Sequence, residues 1–218
     1  MAWRKVVCKV MSETARCFEQ DGYVVLAGLF SEEQLRPVSD EVDREIDGRA
    51  GYIPAADLIY EPGVDPPRLR NAFRLHLYNH LFMRVPCQPA LVCAVESILG
   101  LPVRLYSSGL FAKPAEAGSE VPRHQDMPYW PFEPYEMLTA WIALDDSTLE
   151  NACVLHHCLT VHRSEPNRSP APRRGLTYVF MSPNVRLTDA SRLHGPALFP
   201  TIGSPDFAGD FLGVWNFD

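Results

Sequence analysis

The sequence predicts an α+β fold that is mainly β, with helices gathered in the first hundred residues and a β domain after them. Three observations predict it. Apolar residues recur at helical spacing before residue 100. After Pro102, short runs rich in β-branched and aromatic residues alternate with Pro and Gly. No ten-residue helical stretch separates those runs, which favours an antiparallel sandwich or barrel over a parallel sheet. A single domain is expected over 1–218, with a helical part (1–101), a sheet core (102–182) and an irregular tail (183–218).

In chain order, Ser12 to Asp21 reads as a short helix, and Gly22 releases the chain into Tyr23-Val24-Val25-Leu26, expected as a buried strand. Ser31 and Gln34 form a capping box with Phe30 and Leu35 at the staple positions. Leu35, Val38, Val42 and Ile46 then make a helical stripe that stops before Gly48, with Pro37 in its first turns. Gly48 to Pro67, rich in Gly, Pro and Asp, predicts a long loop near the site. Leu91, Val95, Ile98 and Leu99 fall at i, i+4, i+7 and i+8, and Gly100 suits the C-cap. Strands are predicted at Val103–Lys113, Met137–Asp145, Ala152–His162 and Gly175–Met181.

Charge and cysteine usage narrow the function. Twenty Lys and Arg against 27 Asp and Glu give a net charge of -7, so no cation excess is available for phosphates or anionic lipid. Nucleic acid is not an expected partner. No apolar run approaches the roughly 20 residues that span a bilayer, so no membrane helix is expected. Lys9 and Glu13 interrupt the apolar stretch behind Arg4 and Lys5, which predicts no signal peptide and a cytoplasmic protein. Cys8, Cys17, Cys87, Cys93, Cys153 and Cys158 form no Cys-x-x-Cys pair and are expected reduced and mostly buried.

The residues suited to chemistry begin with His124-Gln125-Asp126. Alternate strand residues share a face, so His124 and Asp126 can converge on one cation; a surface histidine beside an aspartate is the plain alternative. Two histidines and one carboxylate leave three positions of an iron centre open, and His162 is the best third ligand, with His156 and His157 in competition. Arg173 and Arg174 follow, and a planar guanidinium there suits a carboxylate better than lysine does.

The segment from His124-Gln125-Asp126-Met127-Pro128-Tyr129-Trp130 through Leu138-Thr139-Ala140-Trp141-Ile142-Ala143-Leu144-Asp145-Asp146 and Glu150-Asn151-Ala152-Cys153 resembles the phytanoyl-CoA dioxygenase family of iron(II)/2-oxoglutarate oxygenases. The resemblance extends to Asp21-Gly22-Tyr23-Val24-Val25-Leu26, Lys113-Pro114, His162-Arg163-Ser164-Glu165-Pro166-Asn167 with Arg173-Arg174-Gly175, and Gly209 to Trp215. It implies an incomplete double-stranded β-helix, the cupin-like jelly roll, preceded by helices. It makes His124, Asp126 and His162 the iron ligands and Arg173, assisted by Ser164, the partner of the far carboxylate of 2-oxoglutarate. Trp141 would pack against that co-substrate, and Lys113 matches a recurrent family lysine. Fe(II), 2-oxoglutarate and O2 are the implied cofactors, a small organic molecule the substrate, and hydroxylation the reaction, because Asp126 keeps the carboxylate that related halogenases lose. The basic segment Arg68 to Arg74 offers a further acid-binding group.

The chain departs from the family in one place. Only 36 positions separate Asp126 from His162, about 50 fewer than the family usually has, which is the length of several strands. With no turn residues between Leu155 and His156, one long strand is expected there, and its register decides whether His162 reaches the iron. Ala152 and Arg163 stand where the family usually has glycine. A noncatalytic remnant is the rival reading, and a zinc hydrolase on the same histidines a third.

Overall fold

The structure is a computed structural model that describes residues 13–100, 102–145, 152–193, 199 and 201–202. Helical backbone covers residues 13–21 (α1), Glu32–Ile46 (α2), Leu75–Tyr78 (α3), Leu81–Arg84 (α4) and Pro89–Leu99 (α5). The α2 start matches the capping box: Ser31 Oγ accepts the Gln34 N–H and the Gln34 side chain accepts the Ser31 N–H. Phe30, Leu35, Val38 and Val42 are buried beneath it, and Pro37 lies within its first turns. Gly100 caps α5 in a left-handed conformation (φ 76°).

Twelve strands are described: β1 (Tyr23–Leu26), β2 (Leu58–Tyr60), β3 (Leu69–Phe73), β4 (Val103–Lys113), β5 (Val121–His124), β6 (Phe132–Glu133), β7 (Met137–Ala143), β8 (Cys153–His157), β9 (His162–Ser164), β10 (Arg173–Met181), β11 (Arg186–Leu187) and β12 (Thr201–Ile202). Eight of them form one antiparallel sheet in the order β1-β8-β7-β10-β4-β3-β2, with β12 also on β4. Facing it are two short ladders, β5–β9 and β6–β11.

Period-two alternation assigns the two faces of the main sheet. Leu138, Ala140 and Ile142 of β7, with Leu176, Tyr178 and Phe180 of β10, turn toward the helices and are fully buried with Val42, Leu91 and Val95. Each large side chain so buried contributes about 1.5–3 kcal/mol. The opposite face carries Thr139 and Trp141 of β7, Thr177 and Val179 of β10 and His156 of β8, and these line a cavity of about 1310 Å³. Met127, Phe132, Met137, Met181 and Val185 close a smaller apolar cluster.

Four sequence expectations change. The first hundred residues hold more strand than expected: β2 and β3 join the expected β1 in the main sheet. Tyr23–Leu26 is an edge strand with Tyr23 and Val25 exposed, because β8 covers only one side of it. The loop expected over Gly48–Pro67 contains a 3-10 turn at Ala55–Asp57 and β2. The tail adds β11 and β12; residues 203–218, with the Gly209–Trp215 motif, lie outside the described residues. Among the described cysteines all five are free, and only Cys153 and Cys158 are buried. No helix among the described residues is long and apolar enough to cross a membrane.

Candidate metal centre

The expected long strand from Ala152 to His162 is two strands in different sheets. β8 ends at His157, residues 158–159 turn, and β9 opens at His162 against β5. Tertiary hydrogen bonds make this turn: the His157 N–H and the Thr160 hydroxyl both donate to the Gly22 carbonyl, at 2.8 and 2.7 Å, and the Thr160 N–H donates to His157 O at 2.9 Å. Gly22 has φ 75°, and a Cβ there would stand 2.8 Å from Thr160 Oγ1, so the position takes glycine. Four residues, 158–161, carry the chain from the main sheet to the ladder.

In that ladder His124 stands directly opposite His162, where cross-strand side chains are neighbours, and the ring centroids are 4.2 Å apart. Asp126 lies just past the end of β5 and caps the 3-10 turn Met127–Tyr129, with its N–H on Cys158 O. His124 and Asp126 do come together, but not by strand alternation, because Asp126 is outside the strand. Its Oδ1 is 3.6 Å from His124 Nε2 and 3.7 Å from His162 Nε2, while Thr139 Oγ1 donates to Oδ2 at 2.8 Å. The three donor atoms lie within 4.8 Å of one another.

The outer ring nitrogens decide the tautomers. His124 Nδ1 is 2.9 Å from Pro122 O and His162 Nδ1 is 3.0 Å from Thr160 O. A carbonyl only accepts, so in the neutral rings both Nδ1 atoms carry the proton and both Nε2 lone pairs face Asp126. Two imidazole nitrogens and one carboxylate oxygen fit a divalent first-row metal such as iron(II).

The competing histidines separate on the same grounds. His157 Nδ1 accepts the Leu159 N–H at 3.1 Å and its ring packs on Phe18, away from the cluster. His156 faces the cluster, with its ring centroid 4.5 Å from that of His162. Burial pushes its imidazole pKa down to about 4, against the pull of Asp126, so it is neutral at pH 7.

Arg173 and Arg174 part in the same way. Arg173 donates to Ser164 Oγ at 3.1 Å and to Glu165 O at 2.9 Å, and lines the cavity. Arg174 turns to the other face, paired with Asp145 and Asp43. Lys113 is cross-strand from Arg173 and donates from Nζ to Ser164 O and Glu165 O. Burial, then the charges of Arg173 and Arg70, push its pKa down to about 8. Trp141 lines the cavity beside them, held close over Gly175, where a Cβ would be 2.4 Å from its ring. Arg163, in a glycine position of the family, stays exposed and pairs with Glu165 at 2.9 Å. Of the basic segment Arg68 to Arg74, Arg74 reaches the cavity, in a left-handed conformation (φ 56°) and paired with buried Asp57.

Sequence reasoning gave no role to Thr139, to Asn167, whose buried amide donates to Lys113 O, Pro114 O and Ala171 O and so pins the loop before Arg173, or to Asp57. Alternation puts Thr139 on the face of Trp141, but its bond to Asp126 is a tertiary contact that no local pattern encodes.

Comparison with known proteins places the chain in a family. The family model described as phytanoyl-CoA dioxygenase (PhyH) matches residues 18–154, and the chain belongs to that family. The match includes His124 and Asp126 and stops before His162 and Arg173. Among individual proteins, the ectoine dioxygenase of Bordetella parapertussis is 30% identical over 122 residues, 56% of this chain and 39% of that protein. The phytanoyl-CoA dioxygenase domain-containing protein 1 of Danio rerio is 29% identical over 178 residues, 63% of this chain and 60% of that protein. These matches span less than two thirds of either relative. Among solved structures, EctD from S. alaskensis with 2-oxoglutarate and 5-hydroxyectoine superposes with a TM-score of 0.75 at 19% identity, covering 85% of this chain and 81% of that one. The epimerase SnoN from nogalamycin biosynthesis gives 0.71 at 18% identity, covering 87% and 92%. The fold is that of the cupin-like jelly roll.

Proposed function

We propose that this chain is an iron(II)- and 2-oxoglutarate-dependent dioxygenase, one cytoplasmic domain that hydroxylates a small organic molecule and releases succinate and CO2. The observation that carries the reading is the matched pair of tautomers: both Nε2 lone pairs face Asp126 Oδ1 because both Nδ1–H groups are held by carbonyls two residues back. His124, Asp126 and His162 hold the metal in this reading. Bound iron and co-substrate supply the oxygen activation. Arg173, seated by Ser164, takes the far carboxylate of 2-oxoglutarate with Lys113 beside it, and two cations side by side call for an anion. Trp141 forms the wall against which the co-substrate lies. At about 1310 Å³ the cavity exceeds the roughly 300–1,000 Å³ common for small-molecule sites, which leaves room for a substrate beside the co-substrate.

Succinate formation from 2-oxoglutarate with iron(II) and air tests the reading. Wild type turns over, and His162→Ala lowers the rate at least about 100-fold. Arg173→Met raises the 2-oxoglutarate requirement about 10–100-fold, as expected for losing a charged hydrogen-bond partner. Equal turnover in wild type and His162→Ala overturns the assignment of His162. A wild type that binds no metal supports the remnant reading instead.

A further inference from the structure

The two oxygens of Asp126 lie in different surroundings, and a fourth side chain accounts for the difference. Oδ1 faces the Nε2 atoms of His124 and His162. Oδ2 faces the main sheet, where Thr139 Oγ1 donates to it at 2.8 Å and His156 Nδ1 stands 4.0 Å away. Thr139 and His156 are cross-strand partners on β7 and β8, so both approach Oδ2 from the same sheet face. The His156 side chain is 12% exposed, and its Nδ1 is buried without a hydrogen-bond partner among the described residues. It is also outside the group of donor atoms that lie within 4.8 Å of one another. A buried imidazole nitrogen seldom stays unpaired, and a carboxylate oxygen that has accepted one hydrogen bond keeps a second lone pair.

We propose that His156 is a positioning residue for Asp126, its Nδ1–H donating to Oδ2 beside the Thr139 hydroxyl so that the carboxylate offers the metal Oδ1 alone. A closure of about 1 Å brings the 4.0 Å separation to hydrogen-bond length. With both lone pairs of Oδ2 engaged, Asp126 would offer Oδ1 alone, rather than both oxygens, to a metal held with His124 and His162. The carboxylate is thereby held from the rigid eight-stranded sheet rather than from the short ladder that carries the histidines. This inference rests on the metal-centre reading.

The test is Co2+ binding by the full chain, measured as a dissociation constant and as the visible spectrum of the bound ion, which reports coordination number. His156→Phe keeps a ring of similar size without a donor, and His156→Gln restores a donor. His156→Phe is expected to bind Co2+ about 10–100-fold more weakly than wild type and to shift the visible bands, while His156→Gln returns the affinity to within about threefold and restores the spectrum. Thr139→Val combined with His156→Phe costs less than the sum of the two, because both act on one oxygen. Thermal melts of the metal-free proteins separate folding from binding, and His156→Met replaces His156→Phe if the latter does not fold. An unchanged constant and spectrum in His156→Phe overturn the inference. So does loss of one of three imidazole couplings in pulsed EPR of the Cu2+-loaded protein, which makes His156 a ligand. A wild type that binds no Co2+ fails the metal-centre reading itself, a result distinct from both.

Discussion

The main sheet and the β5–β9 ladder do opposite jobs with opposite means. In the sheet, β10 pairs along nine residues with β4 and seven with β7, and its helix-facing side chains are fully buried. The ladder joins His124 to His162 and Val121 to Ser164 with an irregularity between. Its own pairing is too little to hold two rings at 4.2 Å. What holds it is a set of attachments to the sheet and its loops: Thr160 and His157 on Gly22 O, Gln125 on Leu159 O, Thr139 on Asp126, and Lys113 on the carbonyls of Ser164 and Glu165. The family usually spends about 50 more residues on this region, the length of several strands. Hydrogen bonds to Gly22 instead turn the chain within four residues. Stability therefore resides in one region and site geometry in the other, and mutations are expected to separate the two.

The largest expected effect is on the sheet. Phe180→Ala removes a fully buried ring and costs about 3–5 kcal/mol, a fall in Tm of roughly 6–20 °C for a chain of this size. The metal affinity of the folded fraction should not change, and a melt with a parallel metal titration checks both. Gly22→Ala crosses the boundary between the regions: it strains a positive φ and strikes Thr160 Oγ1, for about 1–3 kcal/mol. Because Thr160 O also holds His162 Nδ1, metal affinity should fall along with Tm, unlike in Phe180→Ala. A Gly22→Ala protein with full metal affinity would break the comparison.

A smaller effect sits at the cavity end of β4. Burial and the charges of Arg173 and Arg70 hold the Lys113 pKa down at about 8, and only the protonated amine adds charge for an anion. Affinity for 2-oxoglutarate should therefore drop as pH rises, by about tenfold between pH 7 and pH 9, and Lys113→Met should flatten that dependence; equilibrium binding across pH reads it. The smallest effect is Ser31→Ala, which removes the α2 cap for about 1 kcal/mol and leaves metal and 2-oxoglutarate binding untouched, as melts and titrations on one sample would report.

What was legible in the chain follows from how local each signal is. The Ser31–Gln34 box, the Val38–Val42 stripe and the limits of β4 are set by neighbours in sequence, and they stand where the sequence puts them. His124 and Asp126 were legible as candidate ligands through one short motif, whereas the choice of Arg173 over Arg174 came only from the family resemblance. The partners of β1 were not legible, since Tyr23 pairs with His156 across more than 130 positions and no pattern of four residues encodes that. The turn at 158–159 was missed because no Gly or Pro marks it; hydrogen bonds to the Gly22 carbonyl bend it. The choice among His156, His157 and His162 depends on which backbone group each ring meets, which is a property of the folded chain.

The central claim is that His124, Asp126 and His162 hold one metal with room left for a chelating co-substrate. Anaerobic addition of 2-oxoglutarate to the iron(II)-loaded protein tests it most directly. The account predicts a visible metal-to-ligand charge-transfer band that saturates at one equivalent and is absent in His162→Ala. Iron-loaded wild type that stays colourless with excess 2-oxoglutarate would contradict it.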